Sequence, residues 1–505
     1  MSNGTEWSPS SWRSRPIAQD VHYPDAAALK KTLDRLQTLP GIVTPSSIAH
    51  LSSRLKDVAQ GKAFLLQAGD CAELFEDCRA DKVEAKLRLI LMMSLVVVWG
   101  ARVPVVRVGR IAGQYGKPRS KDKEMVEIDG VRKEVLTFRG DNVNGFSVND
   151  RTPDPDRLTQ AYFHSSATLN HIRGLLDSGF ADLHAPLSFT FDHVRDQTLQ
   201  QSYEDIVDSI TDSLDFMKTV GADPSSSGSS DQGTLNRVDY FVSHEGLMLE
   251  YEEALTREVR GPPSSRRGPE AGHYNLSTHL LWLGDRTRAA DGAHMEYFRG
   301  IKNPIGIKVG PTMKPDELVR VLDIVDPDCV PGRVTLIGRF GASKIEKSLP
   351  PLIKAVQASP HASSVIWTSD PMHGNTVSPP SHPSIKTRRF EDIVFELSAS
   401  FRVHAECGSR LGGAHLELTG ELDEEGNSVT ECVGGSMQLG EEELQKRYLT
   451  HCDPRLNAEQ SLDIAFLISH ALKSQRLARR SASMDSLSGR SKSQITSRDV
   501  SQARA

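Results

Sequence analysis

A chain of 505 residues, 38% of them apolar, has room for a large core or for two or three average domains, with polar loops to spare. Its net charge of −6 argues against nucleic-acid binding by the whole chain, while leaving room for one local cationic cleft. Six cysteines without a CxxC pair give neither a disulfide framework nor a zinc finger, so a reducing interior is expected.

The chain opens on MSNGTEWSPSSWRSRP, which lacks the apolar core of a secretory signal. The most apolar stretch, Leu89 to Trp99, is about half the length of a membrane span and reads as a buried helix running into a strand. A soluble cytoplasmic protein without membrane or nucleic-acid partners is expected.

Eight short apolar runs follow one another, each delivering a polar residue. AFLLQAGDC delivers Cys71, VPVVRVGR Arg110, VDYFVSHE Glu245, LLWLGDR Arg286 and IGIKVG Lys308. VTLIGR delivers Arg339, SVIWTSDPMH His373 and AHLELTG Glu417. The gaps between these residues are 39, 135, 41, 22, 31, 34 and 44. All but the second fit the roughly 31 residues of a strand-helix unit in a (β/α)8 TIM barrel of the α/β class. The long gap predicts an accessory insertion after the second strand, with helices at about 156–178 and 198–220. The expected partition is an N-terminal extension at 1–60, a catalytic barrel at 61–472 with its insertion at about 121–237, and a Ser/Arg-rich disordered tail at 473–505. Residues 222–236, 260–272 and 377–384 read as loops rich in Ser, Gly or Pro.

In a barrel of this kind the strand tips meet at one mouth, where chemistry is assembled. Two groups stand out there. Cys71, His373, Glu417 and Asp453 (in HCDPRLN) combine thiolate, imidazole and carboxylates, which suit a borderline divalent metal. Arg110, Lys117, Arg119, Arg286, Lys308 and Arg339 are cations, several at the ends of apolar runs, where a bound anion would offset the cost of burying charge. Together they point to small phosphorylated substrates and Lewis-acid help at a carbonyl.

At these residues the sequence resembles the class II, plant-type 3-deoxy-D-arabino-heptulosonate 7-phosphate (DAHP) synthases. The stretches are WSPSSWRS, QAGDCAE, RIAGQYGKPRS, FRGDNVNG, SHEGLMLEYE, GDRTRAADGAH, NPIGIKVGP, SDPMHGNT, HLELTGE and CDPRLN, in order from residue 7 to 457. The resemblance implies a TIM barrel that condenses phosphoenolpyruvate with erythrose 4-phosphate and releases phosphate, the first step of the shikimate pathway to aromatic amino acids. It makes Cys71, His373, Glu417 and Asp453 the ligands of one divalent metal per site, manganese or cobalt before zinc or iron. Arg110, Arg286, Lys308 and Arg339 grip phosphoenolpyruvate, with Glu245 and Trp282 in the same wall, and Lys117 and Ser120 hold the phosphate end of erythrose 4-phosphate. Lys308 and Glu245 are the expected catalytic residues. Asp285 stands where this family is expected to carry Glu, which puts a direct reach to a catalytic water in doubt. A homo-oligomer, dimer or tetramer, and an aromatic amino-acid effector are implied as well. Two alternatives stay open: a related condensation using another phosphosugar, and a catalytically silent regulatory paralogue.

Overall fold

The computed structural model describes residues 6–128, 131–180, 197–219, 238–261, 268–379, 385–424, 428–435 and 453–499. Eight parallel strands close into a barrel: β1 Phe64–Gly69, β2 Val105–Arg110, β3 Tyr240–Glu245, β4 Leu280–Leu283, β5 Ile305–Val309, β6 Val334–Gly338, β7 Ile366–Ser369 and β8 Gly413–Glu417. Each strand pairs with the next in sequence, and β8 closes on β1. All eight arise from the apolar runs expected to form them. Such runs are apolar nearly throughout because a parallel strand in a barrel is covered on both faces.

Helices surround the barrel in chain order: α1 Ala26–Thr38, α2 Pro45–Ala59, α3 Ala80–Ala101, α4 Asp156–Asp177, α5 Gln197–Thr219, α6 Leu249–Ala254, α7 Ala293–Phe298, α8 Pro315–Val325, α9 Ile345–Gln357, α10 Phe390–Glu406 and α11 Ala458–Asp499. The buried apolar stretch from Leu89 belongs to α3, and no described helix is long and apolar enough to cross a membrane.

The N-terminal segment completes the barrel. Helix α2 starts at a capping box, with Thr44 accepting from Ser47 N and Pro45 in the first turn. Its Leu51, Leu55 and Val58, one helical face, pack on Leu65, Val106, Leu280 and Ile366 at the strand starts and close the floor. Trp7 Nε1 donates to Glu296 O (2.9 Å) and Trp12 Nε1 to Glu253 Oε2 (2.9 Å), strapping the first residues to the barrel flank. With the floor filled, the open end is the rim of strand tips.

Three differences from the expected outline stand out. Between β2 and α4 an antiparallel hairpin, Lys123–Ile128 with Val131–Leu136, precedes the expected helices. A second hairpin pairs Thr256–Val259 with Gly272–Asn275, on either side of the stretch that reads as a loop. Helix α11 continues to Asp499, past Lys473, where the disordered tail is expected to begin. The tail has no proline and a single glycine, so nothing in it forces the helix to stop. The expected loop at 222–236, and parts of those at 260–272 and 377–384, lie outside the described residues.

Candidate active site

Strand register sets the site. Gly69 at the end of β1 is level with Arg110 of β2 on one side and Glu417 of β8 on the other. With φ +149° and the Arg110 carbonyl 2.6 Å from where a Cβ would lie, only glycine fits at position 69. Across this gap Arg110 Nη2 meets Glu417 Oε1 at 2.7 Å. On β3 and β4, Glu245 and Trp282 are paired, and Lys308 stands one residue before the end of β5.

The tips surround a cavity of about 700 Å³. Cys71, Arg110, Lys117, Ser120, Glu245, Trp282, Asp285, Arg286, Lys308, Arg339, His373 and Asp453 all line it. Glu417 stands just behind this wall, fully buried, 3.0 Å from His373 Nε2. The residues expected at the site are thus brought together. The lining holds nine Lys and Arg against five Asp and Glu, a local excess of positive charge in an acidic chain.

The pairings explain how this charge is held. Trp282 lies under Arg110 and Lys308, its ring centroid 5.1 Å from the guanidinium and 5.9 Å from the ammonium. Lys308 Nζ is 2.5 Å from Asp370 Oδ2. Burial pulls the Lys308 ammonium down to about 8, with Arg110 adding to the effect and Asp370 opposing it. Glu245 is raised, chiefly by burial, against the pull of Lys308 and His373. Arg286 Nη2 donates to Ser120 Oγ (2.9 Å), joining a residue expected at one substrate to a residue expected at the other. Arg339 Nη1 is anchored on Asp285 (3.0 Å) and Nη2 on the His373 carbonyl (2.7 Å), while its buried Nε has no hydrogen-bond partner among the described residues. A cavity lined by Arg110, Arg286 and Arg339 is chemically matched to phosphate or carboxylate oxygens.

The four expected metal ligands meet the chemistry of a divalent site in part by geometry and fully by type. Asp370 accepts from His373 Nδ1 (2.8 Å), which leaves the Nε2 lone pair facing the Glu417 carboxylate. Two acceptors 3.0 Å apart call for a shared proton or cation between them, and a carboxylate behind a histidine is the usual support for a metal ligand. Burial disfavours the Glu417 anion, but His373, Arg388 and Arg110 hold its pKa well below the ordinary carboxylate range. Asp453 is turned toward cations, with Lys386 at 3.5 Å, Lys117 at 3.7 Å and Arg388 at 3.9 Å, and is likewise lowered against its burial. Among the described residues no three His, Cys, Asp or Glu side chains are close enough to enclose a metal as they stand.

Several supporting residues escape a reading of strand tips. Arg388 clamps Glu417 Oε2 (2.6 Å), and Asp70 bridges Lys86 and Arg455 (2.7 Å each) beneath the β1 tip. Glu73 gathers the backbone N–H groups of Ala112, Gly113 and Gln114 (2.7–2.9 Å) and so shapes the loop after β2. His415 contacts both Arg110 and Lys308. In HLE its side chain and that of Glu417 are two residues apart and share the inward face, a period-two signal that could have found it.

Comparison with known proteins agrees with this geometry. The model of the class-II DAHP synthetase family matches residues 7–469. The phospho-2-dehydro-3-deoxyheptonate aldolase of Neurospora crassa is 51% identical over 480 residues, 94% of this chain and 96% of that one. Those of Streptomyces coelicolor and Mycolicibacterium smegmatis are each 43% identical, covering 94% and 91% of this chain and 100% and 93% of their own.

Proposed function

The chain belongs to the class-II DAHP synthetase family, and from that premise we propose that it condenses phosphoenolpyruvate with erythrose 4-phosphate to give DAHP and inorganic phosphate, the entry step of the shikimate pathway. The observation that carries this reading is the convergence of a cationic wall and a Cys, His and carboxylate donor set on one cavity at the barrel mouth.

Arg110, Arg286, Lys308 and Arg339 hold the carboxylate and phosphate of phosphoenolpyruvate, with Trp282 as the floor under two of them. Lys117 and Ser120 hold the phosphate of the aldehyde, and the Arg286–Ser120 bond fixes one subsite against the other. Cys71, His373, Glu417 and Asp453 are the residues that would hold one divalent metal, manganese or cobalt before zinc or iron, whose contribution when bound is to polarise the aldehyde oxygen. The methylene carbon of phosphoenolpyruvate attacks the aldehyde carbon, water adds to the former enol carbon, and phosphate leaves. Lys308 suits the proton transfers because its pKa of about 8 lets it exist in both states near neutrality. Glu245, raised by burial, suits guidance of the incoming water. Most of the remaining contribution is positioning and electrostatics.

The segment 1–60 as an oligomer contact, 121–237 as an accessory layer with an aromatic amino-acid effector, and a cytoplasmic location belong to the same proposal. The test supplies both substrates to the metal-loaded protein and follows phosphate and heptulosonate together. Equal amounts of the two products support the reading, and phosphate release without heptulosonate, or no turnover, overturns it.

A further inference from the structure

Beneath the substrate cavity a line of buried hydrogen bonds crosses the barrel interior. Ser243 Oγ on β3 is 2.9 Å from Gly109 O of β2, and Gln67 Nε2 on β1 is 2.9 Å from Ser243 Oγ. Gln67 Oε1 is 2.8 Å from His415 Nδ1 on β8, its direct neighbour in register. His415 Nε2 in turn meets Lys308 Nζ at 2.9 Å and is in contact with Arg110 Nη1. Gln67, Ser243 and His415 are all fully buried, so water does not serve as their alternative partner.

The direction of every bond in this line is fixed from both ends. The Gly109 carbonyl can only accept, so the single Ser243 hydroxyl proton points to it and Ser243 Oγ is left to accept from the Gln67 amide. The amide oxygen then faces His415 Nδ1, which must carry the imidazole proton. At the far end Arg110 is always a donor, so an N–H at His415 Nε2 would face a cation with no acceptor between them. A reversed Gln67 amide fails at both ends, with its oxygen against an accepting Ser243 and its N–H₂ demanding the wrong histidine tautomer. The relay therefore has one consistent polarity.

We propose that Gln67 and Ser243 are positioning residues that lock His415 in the neutral Nδ1–H tautomer, so that its Nε2 is the shared acceptor for Arg110 and Lys308. This gives two cations that grip the same substrate a common neutral anchor. Lys308 already meets Asp370 and Arg110 already meets Glu417, and a third carboxylate in place of His415 would cancel the charge left for the substrate's phosphate and carboxylate. Trp282, edge-on to His415 with ring centroids 5.3 Å apart, closes the remaining side of the cluster. The inference rests on the proposed assignment of Arg110 and Lys308 to phosphoenolpyruvate.

The test uses the full-length, metal-loaded protein with Gln67→Met, which keeps the side-chain length but neither donates to Ser243 nor accepts from His415. The variant leaves the buried His415 Nδ1–H without its acceptor, and a ring that turns to find another withdraws Nε2 from Arg110 and Lys308, which predicts a rise of about ten- to a hundredfold in KM for phosphoenolpyruvate. The KM for erythrose 4-phosphate should stay within about twofold, a split that general loosening of the barrel would not produce. Ser243→Ala, a smaller change, should shift the same constant in the same direction if Gln67→Met does not fold. In parallel, nitrogen-15 spectra of histidine-labelled wild-type protein, with His415 identified by its loss in His415→Gln, should show Nδ1 protonated and Nε2 bare. Equal rises in both KM values, no change in the phosphoenolpyruvate constant, or a protonated Nε2 would each overturn the proposal. Wild-type protein that binds no phosphoenolpyruvate while showing the Nδ1–H tautomer would instead count against the substrate assignment alone.

Discussion

Asp285 is held by two arginines at the cavity rim. Its Oδ2 holds Arg339 Nη1 at 3.0 Å and its Oδ1 holds Arg288 Nε at 3.2 Å, so the carboxylate is a bracket between two arginines at the cavity rim. The shorter side chain, read from sequence as a doubtful partner for a catalytic water, has this other employment. Asp285→Asn should raise KM for phosphoenolpyruvate by about two- to tenfold with kcat changed less, because the pair is only partly shielded from solvent. Lys308 gives the pH dependence. Its charge is present below about pH 8 and lost above it, so kcat/KM for phosphoenolpyruvate should fall through that pH, whereas a flat profile to pH 10 would contradict the assignment. Arg110, Arg286, Lys308 and Arg339 were legible because they follow or sit within apolar runs, where a bare charge calls for an explanation. Asp370 and Arg388 were not, since their partners, Lys308 and Glu417, are brought beside them only by barrel closure.

At the scale of elements, the loops after β6 and β7 carry Arg339 and His373 and are tied from behind by α10. Glu396 of that helix, fully buried, accepts from Phe340 N and from Asn375 Nδ2, both at 2.7 Å. Asn375 in turn donates to Pro371 O and accepts from Ala342 N, each at 2.8 Å. Every partner of the Glu396 carboxylate is a donor, so Glu396→Gln sets an N–H₂ against an N–H. It should lower stability by about 1–3 kcal/mol in denaturant unfolding, and an unchanged midpoint would show that the clamp carries no such weight. The strands were legible from their continuous apolar runs. The hairpin after β2 was legible only at its turn: Asp129-Gly130 is a strong two-residue hairpin signal, but KEMVEI and VRKEVL on either side of it do not alternate cleanly between polar and apolar residues. The helical periodicity of the rest of the long insertion is the stronger pattern there.

For the whole molecule, a barrel closed at its floor by α2 leaves one mouth, and an acidic chain concentrates its cations there. Sequence rhythm predicted this architecture because eight strand-helix units of similar length have few ways to close. The donor set is the part that closure alone does not complete, with Asp453 drawn toward Lys117, Lys386 and Arg388 rather than toward His373 and Glu417. The most direct test of metal-assisted condensation at this mouth begins with chelator treatment. Metal content and DAHP formation are then followed as manganese, cobalt or zinc is returned. Metal-assisted condensation predicts activity lost on stripping and regained with about one metal per chain in wild type, and neither retained metal nor activity in His373→Ala. Full activity in the stripped protein, or a His373→Ala protein that binds metal and turns over normally, would contradict it.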